Sequence, residues 1–265
     1  MKPFTFIALS ALSLSVSAQS TFITQIQEND IWVRAQYESI STDSDLLRHS
    51  DSAKGSDDDD LTAVGFTMLK TLGSSESFTP GVQVSAFTVD NDGTDVSFLE
   101  IGAVARLDLA GLPSSVYTSY VGSSKSEYRD SVDFELSVGS GPKENGFYNE
   151  FSIDYRSFIE AKDVTGANSF AIGNTSSFKM AKNLDILTHV SATFRSDAEI
   201  DGEKVIEYGN ELTFGIGASA HVNTLSTIQL MLTRSNVKND VYTDGGIIES
   251  DDDETSIIVS VIGRF

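Results

Sequence analysis

The sequence has no cysteine, which excludes disulfide staples, thiol nucleophiles and thiolate-held metals. Cations are scarce as well: 18 Lys and Arg stand against 39 Asp and Glu, for a formal charge of −21. They form no cluster able to neutralise phosphates, so no nucleic-acid partner is expected. Only 4 prolines and a hydrophobic content of 40% rule out a disordered chain. A long apolar run is missing too, because the one from Phe4 to Val16 is interrupted by Ser10, Ser13 and Ser15. It falls short of the ~20 residues that a membrane-spanning helix needs.

What that N-terminal run does fit is a secretory signal. Lys2 precedes it and Val16-Ser17-Ala18 follows it, the charged, hydrophobic and small-residue order that a signal peptidase reads. The expectation is a signal peptide over residues 1–18, a short periplasmic segment over 19–28 and one folded domain over 29–265.

Within that domain the hydrophobic period is 2, the period of strands whose two faces meet different surroundings. Near the N-terminal end, Ile31, Val33, Ala35 and Tyr37 alternate with Trp32, Arg34, Gln36 and Glu38. Val64, Phe66 and Met68 alternate with Ala63, Gly65 and Thr67, and Leu99, Ile101, Ala103 and Ala105 with Glu100, Gly102 and Arg106. Val132, Phe134, Leu136 and Val138 oppose Asp133, Glu135 and Ser137; Phe151, Ile153 and Tyr155 oppose Glu150, Ser152, Asp154 and Arg156. Further on, Ile186 to Phe194 alternates with His189, Ser191, Thr193 and Arg195, and Leu212, Phe214 and Ile216 with Glu211, Thr213 and Gly215. Val82, Val84 and Ala86 against Gln83 and Ser85, the outward Ile228, Leu230 and Leu232, the C-terminal Ile257 to Phe265, and weaker alternation at Ser115–Gly122 and Ser169–Met180 bring the total to twelve. One apolar face and one charged face describe an all-β, transmembrane, antiparallel up-and-down β-barrel, apolar toward lipid and charged toward its lumen. A soluble sandwich would need an apolar core where these strands carry paired charges.

The connections alternate in character. Ser39–Asp60, Asp90–Thr94, Ser123–Asp130, Ile159–Asn168, Ser196–Lys204 and Ser235–Glu254 are acidic and mostly long. Gly73–Thr79, Asp108–Ser114, Gly139–Gly146, Ala181–Asp185 and His221–Leu225 are shorter and carry few acids. Long outer loops and short periplasmic turns have this asymmetry, and the outer membrane of a Gram-negative cell is the expected location.

The segment Asp30-Ile31-Trp32-Val33-Arg34-Ala35, Gly65 in the second strand, Gly81 opening the third and the final Val261-Ile262-Gly263-Arg264-Phe265 resemble the β-barrel translocator domain of autotransporters. The resemblance implies an outer-membrane barrel in contact with lipid and lipopolysaccharide. It also implies that Phe265 is the signal read by the barrel-assembly machinery. With only Gln19 to Glu28 ahead of the first strand, the expectation is a solitary barrel lacking a passenger, with a structural or narrow-pore role.

The expected lumen carries Arg34, Glu38, Glu100, Arg106, Asp133, Glu135, Glu150, Asp154, Arg156, His189, Arg195 and Glu211. Two readings stay open. The charges line a small, cation-preferring channel, or they pair with one another and fill the barrel. Two acid runs, Asp57–Asp60 and Asp251–Glu254, should neighbour each other on the outer rim. They read as a divalent-cation site bridging to lipopolysaccharide or as a solvated, mutually repelling collar; lacking calcium-loop spacing, they favour the collar. No cofactor and no catalytic residue is assigned. Of the 3 histidines, His49 falls in the first loop, His221 in a turn, and His189 faces inward near Ser191, which leaves a hydrolase as the weakest reading.

Overall fold

The computed structural model describes residues 30–43, 59–73, 77–91, 94–125, 128–140, 146–159, 164–243 and 246–265. The expected signal peptide, the segment 19–28, His49, Asp57 and Asp58 lie outside the described residues. In chain order the strands are β1 (Ile31–Asp43), β2 (Asp59–Thr71), β3 (Phe78–Asn91), β4 (Thr94–Leu109), β5 (Leu112–Ser123), β6 (Ser131–Gly139), β7 (Phe147–Phe158), β8 (Val164–Gly166), β9 (Ser169–Ala181), β10 (Leu184–Arg195), β11 (Ala198–Ile200), β12 (Glu203–Tyr208), β13 (Glu211–His221), β14 (Ser226–Thr243) and β15 (Gly246–Arg264). Strands β8, β11 and β12 are short and sit in connections; the other twelve pair in sequence as one antiparallel wall.

The wall closes on itself. β1 pairs with β15 from Trp32↔Arg264 to Asp43↔Asp253. At the end of the seam Ile31 N donates to Phe265 O at 3.0 Å and Phe265 N donates to Ile31 O at 2.9 Å. Closure pairs the first and last of the twelve long strands, as a hydrocarbon environment demands of a backbone that cannot turn to water.

Side-chain alternation then decides what faces lipid. Val64, Phe66 and Met68 on β2, Leu99 and Ile101 on β4, Phe214 and Ile216 on β13, and Ile257, Val259 and Val261 on β15 are exposed. Phe78, Phe147, Phe178 and Phe265 gather toward the end bearing the short turns, and Tyr120, Tyr155, Phe170 and Phe194 toward the loop end. An apolar band between two aromatic girdles is the lipid-facing surface of a membrane barrel. In water the same band would be an aggregation surface.

One turn of the short end is a tight two-residue hairpin. Ala110 and Gly111 join β4 to β5 with φ of 55° and 84°, the paired left-handed conformations of a two-residue hairpin. Asp108 Oδ1 accepts from Gly111 N at 2.7 Å and fixes that turn.

The loop end departs from the sequence reading. Ser235–Glu254 is not a loop: β14 and β15 stay paired from Ser226↔Gly263 out to Thr243↔Gly246. The acids of this stretch suggest solvent, but Val237, Val241, Ile247 and Ile248 keep a strand pattern beneath them. β12 adds to the protruding hairpin through Ile206↔Val241, and β11 and β8 follow in turn. Val164, Ala167, Ala198, Ile206, Tyr208 and Val241 form a buried cluster there, with Phe158 and Ile248 packed against it. Arg129, buried, ties the neighbouring loop to this cap by donating to the carbonyls of Phe158, Ile159 and Gly166.

The acid runs flank β1, as the closed register requires. Asp59 and Asp60 pair with Thr42 and Ser41 on one side, and Asp253 and Glu254 with Asp43 and Thr42 on the other. The run near the C-terminus nevertheless belongs to β15 rather than to a loop, and Glu254 departs from the rim by turning inward.

Candidate functional site

Strand alternation places the charged face of each strand on the lumen, where the inward side chains fall into two groups. The first lies on β4 to β7. Glu100 accepts from Tyr117 Oη at 2.6 Å and from Ser119 Oγ at 2.9 Å, and Gln83 Nε2 donates to the same tyrosine oxygen at 2.9 Å. Asp133 holds Arg156 in two parallel bonds, Nε to Oδ1 at 2.9 Å and Nη2 to Oδ2 at 2.7 Å. One rung away Glu135 stands directly opposite Asp154 in the β6–β7 register. Glu135 is steadied by Ser137 Oγ at 2.6 Å and Asp154 by Ser152 Oγ at 3.1 Å, while Glu150 accepts from Tyr148 Oη at 3.4 Å.

Like charges directly across a ladder repel. Glu135 also feels Glu150 and Glu100 as like charges. The arc therefore gathers acidic side chains on one side of the lumen, with Arg156 at its edge.

The second group runs across β10, β13, β15 and β1. Arg195 Nη2 bonds Glu211 Oε2 at 2.6 Å. Arg34 donates from Nε and Nη2 to Ser260 Oγ at 3.3 and 3.2 Å, and Glu38 accepts from Gln36 Nε2 at 3.5 Å. His189 lies between the groups, with Thr175 Oγ1 at 3.0 Å from Nδ1 and Ser191 Oγ at 3.2 Å from Nε2. Arg106 shares the inward face of β4 with Glu100, nearer the turn end.

The bore is narrow. Glu38 is 0% exposed, Ser137 0% and Glu150 2%, although each points into the barrel. Side chains from several strands thus cover one another, which a wide aqueous lumen would not allow.

Other polar contacts at the lumen ends have no counterpart in the sequence reading. Asp185 Oδ2 lies 2.8 Å from His221 Nε2, and His221 Nδ1 lies 3.1 Å from Thr227 Oγ1. His221 is the last residue of β13 rather than part of a turn, and its partners come from β10 and β14. At the seam Arg264 reaches Asp30, and Trp32 Nε1 donates to the same carboxylate at 3.1 Å. No linear spacing announces either cluster, because the register of separate strands creates them. Among the described residues no group of three or more His, Asp or Glu converges at metal-binding distance.

A search of protein-family models returned no match, and no curated protein matches the chain. Solved structures do. An outer-membrane channel from Pseudomonas putida F1 superposes with a TM-score of 0.72 at 13% identity, over 93% of this chain and 99% of that one. The chain has the fold of an outer-membrane β-barrel. The translocator domain of the autotransporter NalP from Neisseria meningitidis has a TM-score of 0.53 at 10% identity, over 97% of this chain and 98% of that one. TodX, a monoaromatic hydrocarbon channel solved as its deltaS2 mutant, has 0.56 at 6% identity, over 95% of this chain and 94% of that one. At such identities the likeness is one of fold.

Proposed function

We propose that this outer-membrane barrel is a narrow, cation-preferring passage for small solutes. The carrying observation is the cross-strand pair of Glu135 and Asp154, two inward carboxylates at one rung of the lumen. Glu100, Asp133 and Glu150 add to the same arc, and inward acids outnumber inward arginines. Such a lining lowers the energy of a cation in the bore and raises that of an anion. The structural neighbour from Pseudomonas putida F1, itself described as a channel, supports the direction of the reading.

A second reading, a closed scaffold of the solitary autotransporter-like kind, is favoured by the near-complete burial of Glu38 and Glu150. His189 is no hydrolase centre in this reading, since its ring nitrogens are taken up by Thr175 and Ser191 rather than by a carboxylate. Planar-bilayer recording under a KCl gradient separates the two readings. Discrete steps with a reversal potential displaced toward that of K⁺ support the passage; silence across the voltage range supports the scaffold.

A further inference from the structure

We propose that the lumen holds a binding site for a small aromatic amine in its ammonium form, with the ring laid over Gly65 beside Phe87 and the N–H donors turned to Gln36 and Glu38. The inference deepens the cation-passage reading and rests on it for how the amine arrives.

One row of the barrel wall builds the site. Gln36 on β1 pairs with Gly65 on β2, Gly65 with Phe87 on β3, and Phe87 with Phe98 on β4. The row faces the lumen, since Tyr37 beside Gln36, Val64 and Phe66 on either side of Gly65, and Leu99 beside Phe98 are exposed on the opposite face. Phe87 and Phe98 stack with ring centroids 5.0 Å apart and planes at 18°, and Tyr128 stands edge-on to Phe98 at 6.2 Å. The stacked rings follow one another at about the 4.8 Å spacing of neighbouring strands, and the series stops at Gly65.

Gly65 is where this wall is left uncovered. Gly102, Gly173, Gly215 and Gly217 also face inward, and at each a Cβ would meet a side chain from a neighbouring strand: Tyr117, Ser152, Thr233 and Met231. At Gly65 it would meet only the Phe87 Cβ at 3.3 Å and the Ala86 backbone oxygen at 3.8 Å, so among the described residues no ring or side-chain end lies over it. The gap is one strand wide, the room for one more ring in the series. A flat arene placed there makes with Phe87 the offset-stacked contact that Phe87 already makes with Phe98.

A second observation points to a ligand independently of the rings. Gln36 is only 7% exposed, and its Oε1 is buried without a hydrogen-bond partner. Its Nε2 donates to Glu38 Oε2 at 3.5 Å, which commits that end of the amide and leaves the carbonyl needing a donor from elsewhere. On its own row Gln36 has Ser260 on one side, whose Oγ accepts from Arg34, and on the other Gly65, which has no side chain to offer. A buried carbonyl oxygen left unpaired is costly. An ammonium group brings several donors and a positive charge, which suit this oxygen and the Glu38 carboxylate beside it. A methylene between ring and nitrogen covers the single strand step from Gly65 to Gln36.

Isothermal titration calorimetry of the full chain, folded in detergent, tests this with benzylammonium chloride as the probe. Cyclohexylmethylammonium keeps the charge and the N–H donors without the flat ring, and benzyltrimethylammonium keeps the ring and the charge without the donors. The expected result is saturable binding of benzylammonium, with both controls about tenfold weaker. Gln36→Met, which keeps the volume and removes the oxygen, should weaken benzylammonium about tenfold, and Gly65→Ala, which puts a methyl on the floor of the gap, at least as much. Absence of saturable benzylammonium binding overturns the proposal. So do equal affinities for the three salts, and so does an undiminished affinity in the Gln36→Met protein, even if Gly65→Ala fails to fold. The outcomes separate from those of the bilayer experiment. A conducting barrel that does not bind benzylammonium overturns the site alone, and saturable binding in a silent barrel overturns the passage while leaving the site.

Discussion

Arg264 reaches across the seam between the last strand and the first and bonds Asp30 Oδ1 from Nε at 3.0 Å and from Nη2 at 2.9 Å. The guanidinium also lies over the Trp32 ring, 5.6 Å from its centroid, and Trp32 Nε1 donates to the second carboxylate oxygen. Because the contact joins residues 234 positions apart, it exists only when the barrel has closed. Asp30→Ala or Arg264→Ala should therefore lower stability by about 1.5 to 3 kcal/mol, the range for hydrogen bonds to charged groups. A fall in the temperature at which the folded band is lost on unboiled gels checks this. The double variant should cost little more than either single one.

The Asp133–Arg156 pair sets the balance of charge in the first lumenal group. Arg156→Gln leaves Asp133 beside Glu135 and Asp154 with no guanidinium between them. In bilayers this variant should shift the reversal potential further toward that of K⁺, whereas Glu135→Gln should shift it back. Arg156→Lys should only partly restore the natural value, because an ammonium group cannot make both parallel bonds.

Gly102 is inward on β4 where the Tyr117 side chain folds over it; a Cβ there would lie 2.6 and 2.8 Å from two ring carbons and 2.7 Å from the phenolic oxygen. Gly102→Ala should push the ring off Glu100 and Gln83 and cost about 1–3 kcal/mol, the range for overpacking. In a Tyr117→Ala background the added methyl has room, so its extra cost should vanish. Denaturant unfolding of the four proteins of this cycle measures the coupling.

The β11–β12 hairpin carries an exposed ionic group outside the bilayer. Lys204 is held above its ordinary range by its hydrogen bonds to Asp197 and Glu207, and Glu207 below its ordinary range by those from Lys204 and Tyr242. A depressed carboxyl gives its stabilisation above the unfolded value and loses it as pH falls through the folded one; a raised lysine gives it below the unfolded value and loses it as pH rises through the folded one. Protection of this hairpin from protease should therefore be flat between about pH 5 and about pH 9 and decline outside, below the acid limit first. The change should be small, as solvent-exposed pairs contribute little.

How much of this was legible depended on which face a residue occupied. β6 reads clearly because Val132 and Phe134 face lipid while Asp133 and Glu135 face the lumen, so the two environments demand opposite chemistries. β5 reads poorly because its inward face mixes Tyr117 and Val121 with Ser115 and Ser119, and its outward face carries Thr118. Glu254 was masked by company: it ends a run of aspartates that suggests a rim, although its parity with Ser256 and Ile258 already set it inward. Asp185 and His221 meet through the register of β10, β13 and β14, and no spacing in the chain encodes that register.

Absence of native cysteine allows the most direct test of an acid-lined, water-reached lumen. Single cysteines are placed in turn at Val132, Asp133, Phe134, Glu135, Leu136 and Ser137 of the folded barrel in lipid. Reaction rates are then measured with small methanethiosulfonate reagents of either charge. The cysteines replacing Asp133, Glu135 and Ser137 should react with the cationic reagent faster than with the anionic one, and those replacing Val132, Phe134 and Leu136 should react with neither. Silence at all three inward positions, or faster reaction with the anionic reagent there, would contradict the account.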